Sequence, residues 1–188
     1  MRPSLLNLCC AVFIATGLIG CQSLPSQSQS SVISKPAVPD HFQLQGKIGV
    51  RSAAQSGSAF YSWVQQGDQF EIELSGILGV GKTQISGSKF GPVELNSAKT
   101  GLIHAQTPEE LLLQATGWQA PITYLMDWVQ ARPATQQAHV QRDAQGRVSQ
   151  LQEANWQVDF SYTEQAQLPE RLVLVQADHR ITLLIQNR

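Results

Sequence analysis

From Phe42 onward the chain alternates. Phe42, Leu44, Gly46, Ile48 and Val50 take one parity, and Gln43, Gln45, Lys47, Gly49 and Arg51 take the other. A period of two puts one set on a buried face and the other in water, which marks a half-buried β-strand. Phe70, Ile72 and Leu74 repeat the pattern against Gln69, Glu71, Glu73 and Ser75. Gly67-Asp68 separates that run from residues 58–66 and predicts a hairpin. Further strands are expected at 82–88, 92–97, 138–142, 148–154, 156–162, 171–177 and 180–186. Asp143-Ala144-Gln145-Gly146 and Ala177-Asp178-His179 read as turns between the later ones. Short strands at this spacing predict a mainly β fold with helices, an antiparallel sheet or barrel.

Two segments break the alternation. Thr107 suits an N-cap, Pro108 the first helical position, and Glu110 completes a capping box. Leu111, Leu112 and Ala115 then form an apolar stripe, and Gly117 stops the helix. Pro121 opens a second helix, in which Ile122, Leu125, Met126 and Val129 share a face and which Pro133 ends. Trp118 falls between the two helices and Trp128 inside the second.

The first forty residues follow other rules. Arg2 is followed by an uncharged apolar stretch over 8–19, too short to span a bilayer as an ordinary helix. A signal peptide over 1–20 fits better than an uncleaved anchor helix. Leu18-Ile19-Gly20-Cys21 has the Leu-x-Gly-Cys form of a bacterial lipobox. That likeness implies cleavage before Cys21 and its modification with three acyl chains. A single acyl chain anchors only marginally, so three would hold the protein firmly. Cys9 and Cys10 would leave with the signal peptide, so Cys21 would be the lone cysteine and no internal disulfide could form. Gln22 stands where Asp favours retention in the inner membrane, so the outer membrane is expected. Residues 22–40 are rich in Ser, Gln and Pro and read as a tether with a reach of roughly 25 Å. The expected division is a signal peptide at 1–20, a lipidated tether at 21–40 and one folded domain at 41–188.

Composition narrows the function classes. Charged residues are 14% of the chain, and 13 Lys and Arg nearly balance 14 Asp and Glu. That balance lacks the electrostatic footprint of a nucleic-acid binder. Hydrophobic residues are 42%, enough for a substantial core. His41, His104, His139 and His179 are scattered, and no Cys/His pair has metal-ligand spacing. No G-x-S-x-G nucleophile elbow occurs, and Glu109 and Glu110 suit the start of a helix. Neither an enzyme nor a cofactor or metal site is expected.

One motif needs a decision. Gly76 to Thr83 spells G-x-x-x-x-G-K-[ST]. A phosphate loop must open a helix, whose first amides meet the phosphates. Thr83-Gln84-Ile85-Ser86-Gly87-Ser88 alternates instead, so nucleotide binding is rejected. Ile77, Leu78 and Val80 then stand among three glycines between polar-faced strands. Such an apolar tip either folds back on the core or probes another apolar phase. The tryptophans Trp63, Trp118, Trp128 and Trp156 leave a similar choice: core, or the wall of a lipid-holding sheet.

Several short stretches, taken in order, now carry a resemblance. They are Phe42-Gln43-Leu44-Gln45-Gly46-Lys47-Ile48-Gly49-Val50-Arg51, the strand from Phe60 to Trp63, Gly67-Asp68-Gln69-Phe70, and Leu78-Gly79. Thr107-Pro108-Glu109-Glu110-Leu111-Leu112, Gly117-Trp118, Pro121, Leu125, Trp128-Val129, Gly146-Arg147 and Trp156 follow. Together with the lipobox they resemble the LolB family of outer-membrane lipoprotein receptors, from about Phe42 to Ile185. The resemblance implies a half-open antiparallel β-barrel with a short helical lid over an apolar cavity. It implies that the periplasmic carrier LolA hands acylated cargo lipoproteins to this chain for insertion among outer-membrane phospholipids. It also implies a monomer on the periplasmic face, anchored through Cys21. The family's membrane-inserting leucine falls on Leu78, although Ile77 stands where the family often has Pro.

Physics sets the same requirement. Each buried methylene is worth about 0.8 kcal/mol, so exposing a sixteen-carbon chain costs on the order of 12 kcal/mol. Cargo must pass from one apolar shelter to another. Strand alternation and helix stripes nominate Tyr61, Trp63, Phe70, Ile72 and Leu74 for the cavity wall, and Trp118, Leu125 and Trp128 for the lid. The competing reading is a structural lipoprotein whose solidly packed β-domain binds a protein partner.

Overall fold

A computed structural model describes residues 41–53, 56–76, 81–116 and 120–188. All of them belong to one unit, Ala37–Arg188. The segments expected as signal peptide and tether, with Cys21, lie outside the described residues, as do Ile77, Leu78, Val80 and Trp118.

Eleven strands form one antiparallel sheet. They are β1 (His41–Arg51), β2 (Ser56–Gln66), β3 (Gln69–Ser75), β4 (Thr83–Ser88), β5 (Val93–Ser97) and β6 (Gly101–Ala105), then β7 (His139–Arg142), β8 (Val148–Glu153), β9 (Trp156–Ser161), β10 (Arg171–Gln176) and β11 (His179–Asn187). Two helices, α1 (Pro108–Thr116) and α2 (Ile122–Trp128), separate the halves. The strand order is β6-β5-β4-β3-β2-β1-β11-β10-β9-β8-β7. Every neighbour is consecutive in the chain except β1 and β11, the first and last strands, which pair at the centre. β6 and β7 are the edges, so the sheet is open, consistent with a half-open barrel under a helical lid.

The alternation read from the sequence sets the inner face. Leu44 pairs with Trp63, and Trp63 with Ile72, so one row of the register is apolar across three strands. Ile181, Leu183 and Ile185 of β11, with Leu172 and Leu174 of β10, continue that face. Gly46 sits where the β1–β11 register shifts. A Cβ there would overlap the carbonyl oxygen of Leu184, which also accepts the Tyr61 hydroxyl at 3.1 Å.

The helix ends follow their side chains. Thr107 Oγ1 accepts the Glu110 amide at 3.1 Å, and Glu110 Oε2 accepts the Gln106 amide at 2.8 Å. The box therefore closes one residue upstream of its usual partner. α2 ends earlier than Pro133 suggests. The Ala131 amide donates to the Trp128 carbonyl, and the Arg132 amide to the Asp127 carbonyl, with Ala131 at φ 54°. That is a Schellman closure without glycine, a conformation that disfavours a Cβ by roughly 1–2 kcal/mol. The residues after the P-loop-like stretch form β4, not a helix, and Lys82 pairs with Glu73 at 2.7 Å.

Candidate functional site

The wall of the site is built by β3, β4 and β5 and its roof by α1. Alternation turns Phe70, Ile72 and Leu74 of β3 inward, beside Thr83 and Ile85 of β4 and Leu95 and Ser97 of β5. α1 lays Pro108, Leu111, Leu112 and Ala115 over them, and Ile122 closes one side. Between wall and roof lies an apolar cavity of about 260 Å³. It exists because Thr83, Ser97 and Ala115 are too short to fill the gap that α1 leaves. Depressions of about 550 and 670 Å³ occur elsewhere, but polar groups such as Glu71, Glu94 and His104, or Gln152, Asn155 and Gln157, line them. Size alone would favour those two; hydrocarbon favours the smaller, greasier one.

The roof and its neighbour are held differently. α1 packs on β5 and β6. It is tied to α2 by Glu109 Oε1, which accepts the Thr123 amide at 2.9 Å and the Thr123 hydroxyl at 2.8 Å. α2 is riveted. Trp128 is 0% exposed, and its indole donates to Glu153 Oε2 at 2.8 Å. Asp127 takes Lys89 at 2.8 Å and Arg132 at 3.1 Å. Arg188 donates to the Val129 carbonyl at 2.9 Å.

Glu153 is the most heavily bonded carboxylate in this arrangement. Burial raises its pKa, but donation from Thr135, from the Trp128 indole and from the Ala134 and Thr135 amides outweighs that and holds it below the ordinary value. Burial pushes the Tyr61 phenol far above its usual range, against the pull of Arg188. Both groups serve the fold rather than proton transfer. Among the described residues, no three His, Cys, Asp or Glu side chains gather as a metal site.

The sequence-nominated residues divide by position. Phe70, Ile72 and Leu74 line the cavity together. Tyr61, Trp63 and Trp128 lie in the packed core, with the Trp63 indole bonded to Gln65 at 3.1 Å. Leu125 packs against that core, and Trp118 is outside the described residues. Ile85, Leu95, Leu112 and Ala115 line the cavity without having been nominated. The strand pattern of β4 and β5 and the α1 stripe carried the signal for them.

An open antiparallel sheet with a helix-roofed apolar hollow is the frame in which the comparisons with known proteins fall. The family described as Outer membrane lipoprotein LolB matches residues 40–187. The chain belongs to the LolB family. A LolB from Stutzerimonas stutzeri is 35% identical over 98% of this chain and 96% of its own length. One from Cellvibrio japonicus is 37% identical, covering 94% of this chain and 93% of the relative. One from Pseudomonas savastanoi pv. phaseolicola is 39% identical over 79% and 74%. Each is named an outer-membrane lipoprotein. LolB membership makes this chain an outer-membrane lipoprotein and not an enzyme.

Proposed function

We propose that this chain accepts acylated lipoproteins from the carrier LolA in the cavity under α1 and inserts them into the outer membrane. It does so from the periplasmic face, anchored by lipidated Cys21. The observation that carries the reading is an apolar hollow of about 260 Å³ under α1, lined by Phe70, Ile72, Leu74, Ile85 and Leu112. An unfilled apolar space forfeits dispersion contacts and stability unless something occupies it.

The hollow is slightly below the roughly 300–1,000 Å³ of ordinary ligand pockets. It takes part of one chain, so fuller loading displaces α1. The Glu109–Thr123 bonds are the tie that must give, because α2 is held by Glu153, Lys89 and Arg188. Acceptance needs no nucleotide if apolar burial deepens from carrier to receptor to bilayer.

Insertion falls to the loop bearing Ile77, Leu78 and Val80. The strands that flank this segment in the chain, β3 and β4, supply Leu74 and Thr83 to the cavity lining. One leucine entering a bilayer contributes roughly 1.5–3 kcal/mol, enough to bias docking but not to anchor.

The test separates the two steps. Ala115→Phe fills the hollow and should abolish acceptance of acylated cargo in a transfer assay, while a Phe at exposed Leu113 should not. Leu78→Glu should accept cargo and fail to incorporate it into membranes. A folded Ala115→Phe protein that takes up cargo normally would sink the cavity reading.

A further inference from the structure

The outer face of the sheet carries charges that neither the cavity nor the roof uses. One register row runs Phe60 of β2, Lys47 of β1, Leu184 of β11 and Arg171 of β10. Two rows further on, Arg51 and Arg180 stand opposite one another across β1 and β11. Like charges in that position destabilise a sheet. Elsewhere Lys82, Lys89, Arg132 and Arg147 each hold a carboxylate, and Arg142 and Arg188 donate to backbone carbonyls. Among the described residues Lys47, Arg51, Arg171 and Arg180 hold no carboxylate. The carboxylate at this end of the sheet, Asp178, is engaged by the Ala53 amide at 3.1 Å and by His179 at 3.0 Å.

Between the two arginines lies a shallow depression of about 420 Å³. Ser56, Ser58 and Thr182 line it with hydroxyl groups, and Gly49, on the same face, leaves its floor bare. A Cβ on Gly49 would have only the Gly57 carbonyl oxygen near it, at 4.0 Å. Two guanidinium forks over a floor of small hydroxylated residues match the oxygens of a phosphodiester. Phe60 and Leu184, 45% and 38% exposed, stand on the same face. Ser75, the last residue of β3, pairs with Phe60. Across β3 and β5 the same face turns acidic, with Glu71, Glu73 and Glu94.

We propose that Arg51 and Arg180 form a phosphodiester headgroup site that seats this end of the sheet on anionic phospholipid of the bilayer. The acidic half of the face is repelled from the same surface, which fixes how the molecule lies. Phe60 and Leu184 add apolar contact at headgroup depth. The proposal goes beyond the cavity reading and shares with it only the outer-membrane location.

The test uses the full-length lipidated protein in nonionic-detergent micelles. Isothermal titration calorimetry follows dihexanoyl phosphatidylglycerol, dihexanoyl phosphatidylcholine and inorganic phosphate into the parent and into Arg51→Gln/Arg180→Gln. Saturable binding of phosphatidylglycerol, weakened at least tenfold in the double variant and by added salt, is the expected result. The variant should melt no lower than the parent, because a like-charge pair has been removed, and Arg51→Lys/Arg180→Lys should bind at intermediate strength. Equal affinity in parent and double variant, equal affinity for the two lipids, or no saturable response would overturn the proposal. Phosphate bound as tightly as phosphatidylglycerol would also overturn it, making the site one for free anions. Uptake of a fluorescent fatty acid into the cavity should be unchanged in the double variant. Loss of that uptake in the parent would remove the cavity reading and leave the headgroup site standing.

Discussion

The sheet has two halves that use the same alternation to opposite ends. Over β8 to β11 the inner face is filled: Trp156, Val158, Phe160, Leu172 and Leu174 are buried, and Trp128 of α2 plugs the space above them. Over β3 to β5 the short side chains of Thr83 and Ser97 interrupt the apolar inner face, and about 260 Å³ stays open beneath α1. Similar hydrophobic strands thus yield a solid core or a hollow, according to what lies opposite. α2 is fixed by the Trp128 indole on the Glu153 carboxylate and by the ion pairs of Asp127, and it buries Met126 and Trp128 in the core. α1, which packs on β5 and β6 through buried Pro108 and Leu111 and is tied to α2 by Glu109, still leaves room beneath its second turn. The filled half supplies the stability that lets the other half forgo packing.

The sharpest way to break that contrast is to unplug the filled half. Trp128→Ala should cost roughly 3–5 kcal/mol, since it opens a large void and strips the indole donor from Glu153. Urea denaturation measures it, and a loss under 1 kcal/mol would mean that this half is not close-packed. Next comes a matched pair. Leu151→Ala should cost about 2–5 kcal/mol as a buried side chain, whereas Ile72→Ala, already facing empty space, should cost about 1 kcal/mol. Equal costs in the two variants would erase the distinction.

Smaller still is the effect of filling the hollow. Ala115→Phe should change the melting temperature by only a few degrees, for a ΔΔG of about 1 kcal/mol. A drop as large as that of Trp128→Ala would show that α1 is as rigidly packed as α2. The smallest effect is on acid stability. The Glu153 carboxyl is held below its ordinary value, so its contribution is fully present above about pH 4.3, the unfolded value. It is lost as pH falls through the lower folded value. Glu153→Gln should therefore flatten the acid limb of a melting-temperature profile, and an unchanged limb would argue that other carboxylates control it.

Much of the fold was legible because each strand with one wet face writes its own period. The ten strands expected from alternation end within two residues of those found. β6 was not legible. It is an edge strand in which Leu102, next to inward-facing Ile103, is 58% exposed, so the period is blurred. The end of α2 was hidden for a related reason: a glycine normally marks a Schellman closure, and here Ala131 makes it. The candidate site was half legible. Alternation gave Phe70, Ile72 and Leu74 a common face, but whether a large aromatic plugs a core or lines a hollow depends on distant partners. The bond from Trp128 to Glu153, 25 residues away, cannot be read from either local pattern.

The central claim is that hydrocarbon lodges in the hollow half and not in the filled one. A fatty-acyl photoprobe on a cargo lipoprotein, crosslinked to the protein and mapped by peptide mass spectrometry, tests it directly. Labels on Ile72, Ile85, Leu112 and Ala115, with none on Val158 or Leu174, are the predicted outcome. Labels concentrated on β8 to β11, or none on the β3–β5 wall, would contradict it.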